Sequence, residues 1–291
     1  MIMLVIVLIA VLAGCTATAR PAPATGPSDD PGALIEGRTA LLARDGPYRD
    51  PDQVERSRGR DAAQLLLAQP DNVTDLDAAF GRLGYTAAHG VDSATGRRYS
   101  MYSTSPTAEP AWGVVLIDRS APLRFVLEVP HPGFDTNTDK IGVALYHLVP
   151  GSVLLVAGAH RAAADGAADV AHNDKSMFNV LATEFAKGGL KQIQLHGFAD
   201  NNLPDAQVVV STGAGRAIPL ARDLANGLQG AGLVVCRAWA AKCGRLEGTT
   251  NVQGKAADEI GAQFVHLEMG WAVRGDPQRR DVVVHAIAGC L

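Results

Sequence analysis

Residues 123–142 read LRFVLEVPHPGFDTNTDKIG. The first seven form a continuous apolar run of the kind expected for a strand covered on both faces. A helical pattern resumes near Thr138 or Asp139. Between the two stand His131, Pro132, Gly133, Asp135 and two threonines. A core strand normally ends in turn residues, whereas a metal site ends in ligands. The Pro and Gly between His131 and Asp135 make this a tight loop, able to turn both side chains toward one point.

Outward from this stretch the chain alternates. WGVVLID, SVLLVAG, KQIQLHG, AQVVVST, GLVVCRA, QFVHLEM and DVVVHAI are further strand candidates. Helix patterns lie between them over 139–148, 176–187, 220–229 and part of 255–262. Strands alternating with helices predict a three-layer α/β/α domain with a mostly parallel or mixed central sheet. In such sheets ligands gather at the carboxyl ends of the strands. His131, His160, His196 and Glu268 all fall at such ends, from only 8 His in the chain.

These residues suit metal chemistry. Imidazole and carboxylate are good zinc ligands, so His131, Asp135 and His196 form a candidate set. Three protein ligands leave a fourth position for water, which is the catalytic arrangement. Glu268 is the candidate general base and acid. His266 alternates with Glu268 and shares its face if the strand is regular. A Ser hydrolase is disfavoured by the lack of a Gly-x-Ser-x-Gly elbow. Nucleotide binding is disfavoured by the lack of a Gly-rich phosphate loop after a strand.

VPHPGFDTNTDKIG, then QLHGF, then LANGLQGAGLVV and TTNVQGKAADEIGAQFVHLEMGWAVR together resemble the zinc-dependent poly-γ-glutamate hydrolase family. That family belongs with the zinc carboxypeptidase-like amidohydrolases. The likeness spans about residues 110–275. N-acetylmuramoyl-L-alanine amidases are similar more loosely. The resemblance implies a zinc carboxypeptidase-like fold with Zn2+ held by His131, Asp135 and His196, and Glu268 as the proton carrier. The family has Glu where this chain has Asp135. It also implies amide hydrolysis, on a cell-wall peptide or a γ-glutamyl polymer. Such substrates carry carboxylates, which makes Arg161 and His172 candidate substrate contacts. Asn251 and Lys255, in the loop before the Glu268 strand, are two more. The alternative for Arg161 is a surface pair with Asp165 or Asp169. The alternative for the whole chain is a non-catalytic binding lipoprotein on a degenerate hydrolase fold.

The ends of the chain speak to location. MIMLVIVLIAVLAGC, residues 1–15, is too short to span a bilayer comfortably, which takes about 20 residues. It fits the apolar part of a signal peptide, the alternatives being a plain secretory signal or a membrane anchor that stays uncleaved. Its Leu12-Ala13-Gly14-Cys15 end resembles the lipobox of bacterial lipoproteins, with Cys15 the lipidated residue and the membrane reached through that lipid. The n-region carries no Lys or Arg. Residues 16–45, rich in Pro, Ala, Gly and Asp, read as a disordered tether. Residues 46–105 read as a small helical extension with a hairpin or edge strand near its end, and 106–291 as the α/β metallohydrolase-like domain. The expected location is extracytoplasmic. There a disulfide can form: Cys236 and Cys243 stand close enough for a short-loop bridge, and Cys290 is an alternative partner for either. The chain is 47% hydrophobic with net charge −4 and mean hydropathy +0.07. That supports a sizeable core. With no basic stripe, nucleic acid is not an expected partner.

Overall fold

The computed structural model describes residues 30–291. The expected signal peptide, Cys15 and residues 16–29 of the expected tether lie outside the described residues. Three helices open the described chain: α1 (Pro31–Thr39), α2 (Gln53–Ala68) and α3 (Val73–Gly81). Strands β1 (Thr86–Val91), β2 (Arg98–Ser103), β3 (Gly113–Asp118) and β4 (Phe125–Val129) follow, then α4 (Thr138–Leu148), β5 (Ser152–Ala157), α5 (Met177–Lys187), β6 (Lys191–Phe198) and β7 (Val208–Ser211). The chain ends with α6 (Pro219–Gly230), β8 (Val235–Arg237), α7 (Val252–Glu259), β9 (Phe264–Gly270), α8 (Trp271–Arg274) and α9 (Pro277–Ala288).

Among the described residues, all nine strands join one mixed sheet in the order β1-β2-β3-β5-β4-β6-β9-β7-β8. Its centre, β5-β4-β6-β9, is parallel; the β1–β3 meander and the parallel pair β7-β8 flank it, each joined to it antiparallel. Side-chain alternation sorts the strands into two faces. On one, Leu127, Leu154, Ile193, Leu195, Val265 and Leu267 pack with Ile35 of α1 and the apolar sides of α4, α6 and α9. On the other, Val115, Val126, Val153 and Leu155 pack with Ala62, Leu66, Phe80, Phe178 and Phe185 of α2, α3 and α5. The result is the expected three-layer α/β/α architecture.

Three expectations are corrected. The tether does not run to residue 45. Asp30 caps α1 by accepting from the Ala33 N–H, Pro31 occupies the first turn, and Ile35 is fully buried, so the fold begins near residue 30. Residues 46–105 are not a separate helical extension either. The hairpin β1-β2, expected from GVDSATGRRYSMYST, continues the main sheet through β2-β3, and α2 and α3 cover its face. DVVVHAI is helical. Asp276 accepts from the N–H groups of Gln278 and Arg279, Pro277 starts the turn, and Val283, Val284 and Ile287 form one buried stripe. The short apolar run fitted a strand equally well; the cap before it decided the outcome.

Candidate metal centre

β6 and β9 build the floor of the site. In KQIQLHGF, Ile193 and Leu195 face the α4 layer, while Gln192, Gln194 and His196 face the other side, all buried. In FVHLEMG, Val265 and Leu267 do the same, leaving His266 and Glu268 beside them. The parallel register sets Gln194 opposite His266 and His196 opposite Glu268. A polar stripe therefore runs along one face of an otherwise apolar sheet and ends at the carboxyl edge.

The loop after β4 brings the remaining groups. The N–H groups of Phe134 and Asp135 both donate to the His131 carbonyl, at 3.1 and 2.8 Å, which turns Asp135 back over His131. Asn137 closes the loop with φ +70° and leads into α4. Arg274 clamps the arrangement from behind. It donates to the carbonyls of Thr136 (2.5 Å), Met269 (2.9 Å) and Phe198 (3.1 Å), so one guanidinium ties the loop to β6 and β9. Gly197 makes this possible, since a Cβ there would meet Arg274 Nε at 2.1 Å.

Around this frame the imidazoles converge. Asp135 Oδ2 lies 3.3 Å from His131 Nδ1 and 3.2 Å from His196 Nδ1. Charge-assisted hydrogen bonds run about 2.7–2.9 Å. Two ligand atoms on one tetrahedral zinc ion, each about 2.0–2.1 Å from it, stand about 3.3 Å apart. The spacing matches the edges of a coordination polyhedron better than it matches hydrogen bonds. The far nitrogens are engaged: His131 Nε2 with Asp169 Oδ1 at 2.8 Å, and His196 Nε2 with Gln194 Oε1 at 2.8 Å. Held imidazoles of this kind are the usual support of a metal-binding His. A second group, His196, His266 and Glu268, lies on the same wall. His266 Nδ1 and Glu268 Oε2 are buried with no protein partner. By donor chemistry and spacing, His131, Asp135 and His196 fit a divalent ion such as zinc.

The charge states agree. Burial opposes a proton on His131, but Asp135 and Asp169 outweigh it and raise the imidazole's pKa. Burial would raise Asp135, yet its bonds to His131 and His196 hold it well below the usual carboxylate range. His196 is pushed down to about 4 by burial and is neutral at ordinary pH. Burial, then the charge of Asp135, pushes Glu268 well above the usual range. The site thus favours positive charge between His131 and Asp135, and a cation there would draw Glu268 back toward its ionised, proton-accepting form.

A cavity of about 410 Å3 opens over these groups, within the usual range for small-ligand sites. Arg161 and His172 line it. Arg161 pairs with Asp169 Oδ2 and lies over the Phe134 ring at 5.1 Å, and His172 Nδ1 sits 3.1 Å from Asp169 Oδ1. The surface-pair alternative for Arg161 is therefore also realised, with Asp169 and not Asp165. Two expectations fail. Lys255 is exposed on α7 and does not line the cavity. Asn251 borders it but is only 2% exposed, and its amide is engaged inside the protein: Oδ1 accepts from the Gly254 N–H and Nδ2 donates to Gln194 Oε1. Its side chain caps α7 and is not free for substrate. Gln194, Arg274 and Arg245 are site residues missed in the sequence, where Asp169 entered only as a partner for Arg161; nothing local marks them except the alternation in QIQLH. The Cys236–Cys243 disulfide is present, and Cys290 is free. The bridge fixes the root of the segment that carries Arg245, Gly248 and Thr250 past the cavity.

No family model and no curated protein matches the chain. Among solved structures, the chain is similar to one described as zinc-free YndL, at 18% identity over 60% of this chain and 87% of that one, with a TM-score of 0.43. It is similar to a bacteriophage poly-γ-glutamate hydrolase at 17% identity, over 60% and 86%, with a TM-score of 0.44. A metallo-carboxypeptidase from Burkholderia cenocepacia shares 14% identity over 74% of this chain and 68% of that one, with a TM-score of 0.41.

Proposed function

We propose that this chain is a zinc-dependent amidohydrolase or peptidase, exported and held at a membrane by lipid on Cys15, that cleaves peptide or γ-glutamyl amide bonds of an envelope or extracellular polymer. The observation that carries the reading is the convergence of His131 Nδ1, Asp135 Oδ2 and His196 Nδ1 at 3.2–3.3 Å beside a buried, unpartnered Glu268 oxygen. A divalent ion held by those three atoms would supply Lewis acidity to the scissile carbonyl and acidify the attacking water.

The chain's own residues do the rest. Glu268 takes the water's proton at Oε2 and returns it to the leaving amine. Arg161, steadied by Asp169 and Phe134, would meet a substrate carboxylate, with Arg245 adding positive charge at the rim. The substrate class rests on that basic rim and on the sequence resemblance. The alternative of a non-catalytic binding lipoprotein drew on the shorter acid at 135. With Asp135 Oδ2 near both imidazoles, the shorter reach is no obstacle.

The test is metal content by elemental analysis of the full chain purified without chelators, followed by assay on muropeptides and poly-γ-glutamate. About one zinc per chain is expected. His131→Ala should lose the metal. Glu268→Gln should keep it and lower kcat by about 10²- to 10⁴-fold. Full zinc occupancy in His131→Ala would refute the ligand set.

A further inference from the structure

Glu128 is fully buried on β4, and no step described above uses it. It sits opposite Gln194 in the parallel register of β4 and β6. Gln192 Nε2 donates to its Oε1 at 2.7 Å and Gln194 Nε2 to its Oε2 at 2.8 Å. Within the structure these amides are its hydrogen-bond partners. An ionised carboxylate only accepts, so Gln194 must turn its NH2 toward Glu128.

The opposite side of Gln194 is fixed independently. Asn251 Oδ1 accepts from the Gly254 backbone N–H at 2.9 Å, a donor that cannot be reversed. Asn251 Nδ2 is therefore left to face Gln194 Oε1, at 2.5 Å. Both neighbours demand the same orientation, with the Gln194 oxygen on the side of His196. That oxygen lies 2.8 Å from His196 Nε2 and can only accept, so the imidazole carries its hydrogen on Nε2. His196 Nδ1 then presents a lone pair to Asp135 Oδ2 across 3.2 Å. Two lone pairs that close call for a cation between them.

We propose that Glu128 and Asn251, acting through Gln194, are positioning residues that hold His196 in its Nε2–H tautomer and so keep Nδ1 free for a metal ion. The metal half of this statement rests on the reading under Proposed function; the tautomer half does not. A merely space-filling network would satisfy its own hydrogen bonds in either sense. With Glu128 ionised, as at pH 8, this one is anchored at both ends by groups of fixed polarity.

The test uses the full chain at pH 8, metal-free, with the His196 tautomer read from side-chain ¹H–¹⁵N correlations and the zinc Kd from chelator competition. Wild type should show Nε2–H. Asn251→Asp keeps an N-cap as good as Asn but turns an acceptor toward Gln194. With acceptors now on both sides, the Gln194 amide loses its single orientation, His196 should populate Nδ1–H, and the zinc Kd should rise about 10- to 100-fold. Glu128→Gln relaxes the constraint from the other side and should give a mixture of the two tautomers; it carries the test if Asn251→Asp does not fold. Folded variants that keep Nε2–H and the wild-type Kd overturn the proposal. A shifted tautomer in a protein that never binds zinc keeps the relay and removes the metal reading. Zinc binding by wild type with an unmoved tautomer in the variants removes the relay alone.

Discussion

Glu128 shows what one residue costs the fold. Burial pushes its carboxyl up to about 7, while the amides of Gln194 and Gln192 pull the other way. In the unfolded chain it titrates near 4.5. Below 4.5 it is protonated in both states, so no stability is lost. Between 4.5 and 7 the unfolded chain releases the proton and the folded one keeps it, so stability falls as pH rises; above 7 the loss is constant at about 3 kcal/mol. Glu128→Gln does not titrate. The difference in unfolding free energy between wild type and this variant should therefore move by about 3 kcal/mol in the variant's favour between pH 4.5 and 8. Denaturant titrations at both pH values measure it, and every other titrating group cancels in the difference. A constant difference would mean that Glu128 ionises as readily in the fold as outside it.

Among the elements, α1 has the most surprising place. It belongs by composition to a tether, yet it packs as part of the domain. Ile35 is fully buried, Arg38 Nη2 donates to the Thr104 carbonyl at 2.8 Å, and the Thr39 hydroxyl donates to Asp139 Oδ2 at 2.5 Å. Just beyond it, Leu42 lies against Gly133 in the His131–Asp135 loop, where an added Cβ would meet the Leu42 Cβ at 3.2 Å. Burying Ile35 alone contributes about 1.5–3 kcal/mol. At about 2–4 °C per kcal/mol for a chain of this size, a protein starting at residue 46 should melt about 5 °C or more below one starting at residue 30. Equal melting temperatures in a thermal scan would show that α1 is an ornament on the fold. The same scale explains α9. DVVVHAI has no period of its own, and Asp276 with Pro277 settles it as a helix.

For the whole molecule, the proposed metal site would be linked to the fold. The three proposed ligand atoms come from the loop after β4 and from β6, and Arg274 ties that loop to β6 and β9. An ion there stabilises only the folded chain. At a free zinc concentration about 1,000 times Kd the added stability is about 4 kcal/mol, which should raise Tm by about 10 °C. The shift should vanish on chelation and be absent in His131→Ala. A Tm that ignores zinc in the wild type would contradict a site shared between these elements.

Much was fixed by local pattern. Alternating apolar strands and amphipathic helices determined the layered architecture, because burying one face of each element leaves few arrangements. His131, Asp135, His196 and Glu268 were legible because they interrupt or end apolar runs at the strands' carboxyl ends, where nothing in core packing asks for them. The two-residue period in QIQLH and FVHLE already placed a polar stripe on one face. What the sequence left open was everything that depends on register and on distant partners. Asp169 reaches His131 across 38 positions and Glu128 reaches Gln194 across 66. Arg274 clamps a loop 138 positions away. Asn251 looked free for substrate until folding used both ends of its amide, and Lys255 lost its place when α7 turned it to solvent. Such contacts carry no local signature, because a hydrogen bond between strands is set by their order and stagger in the sheet, which only the assembled sheet decides.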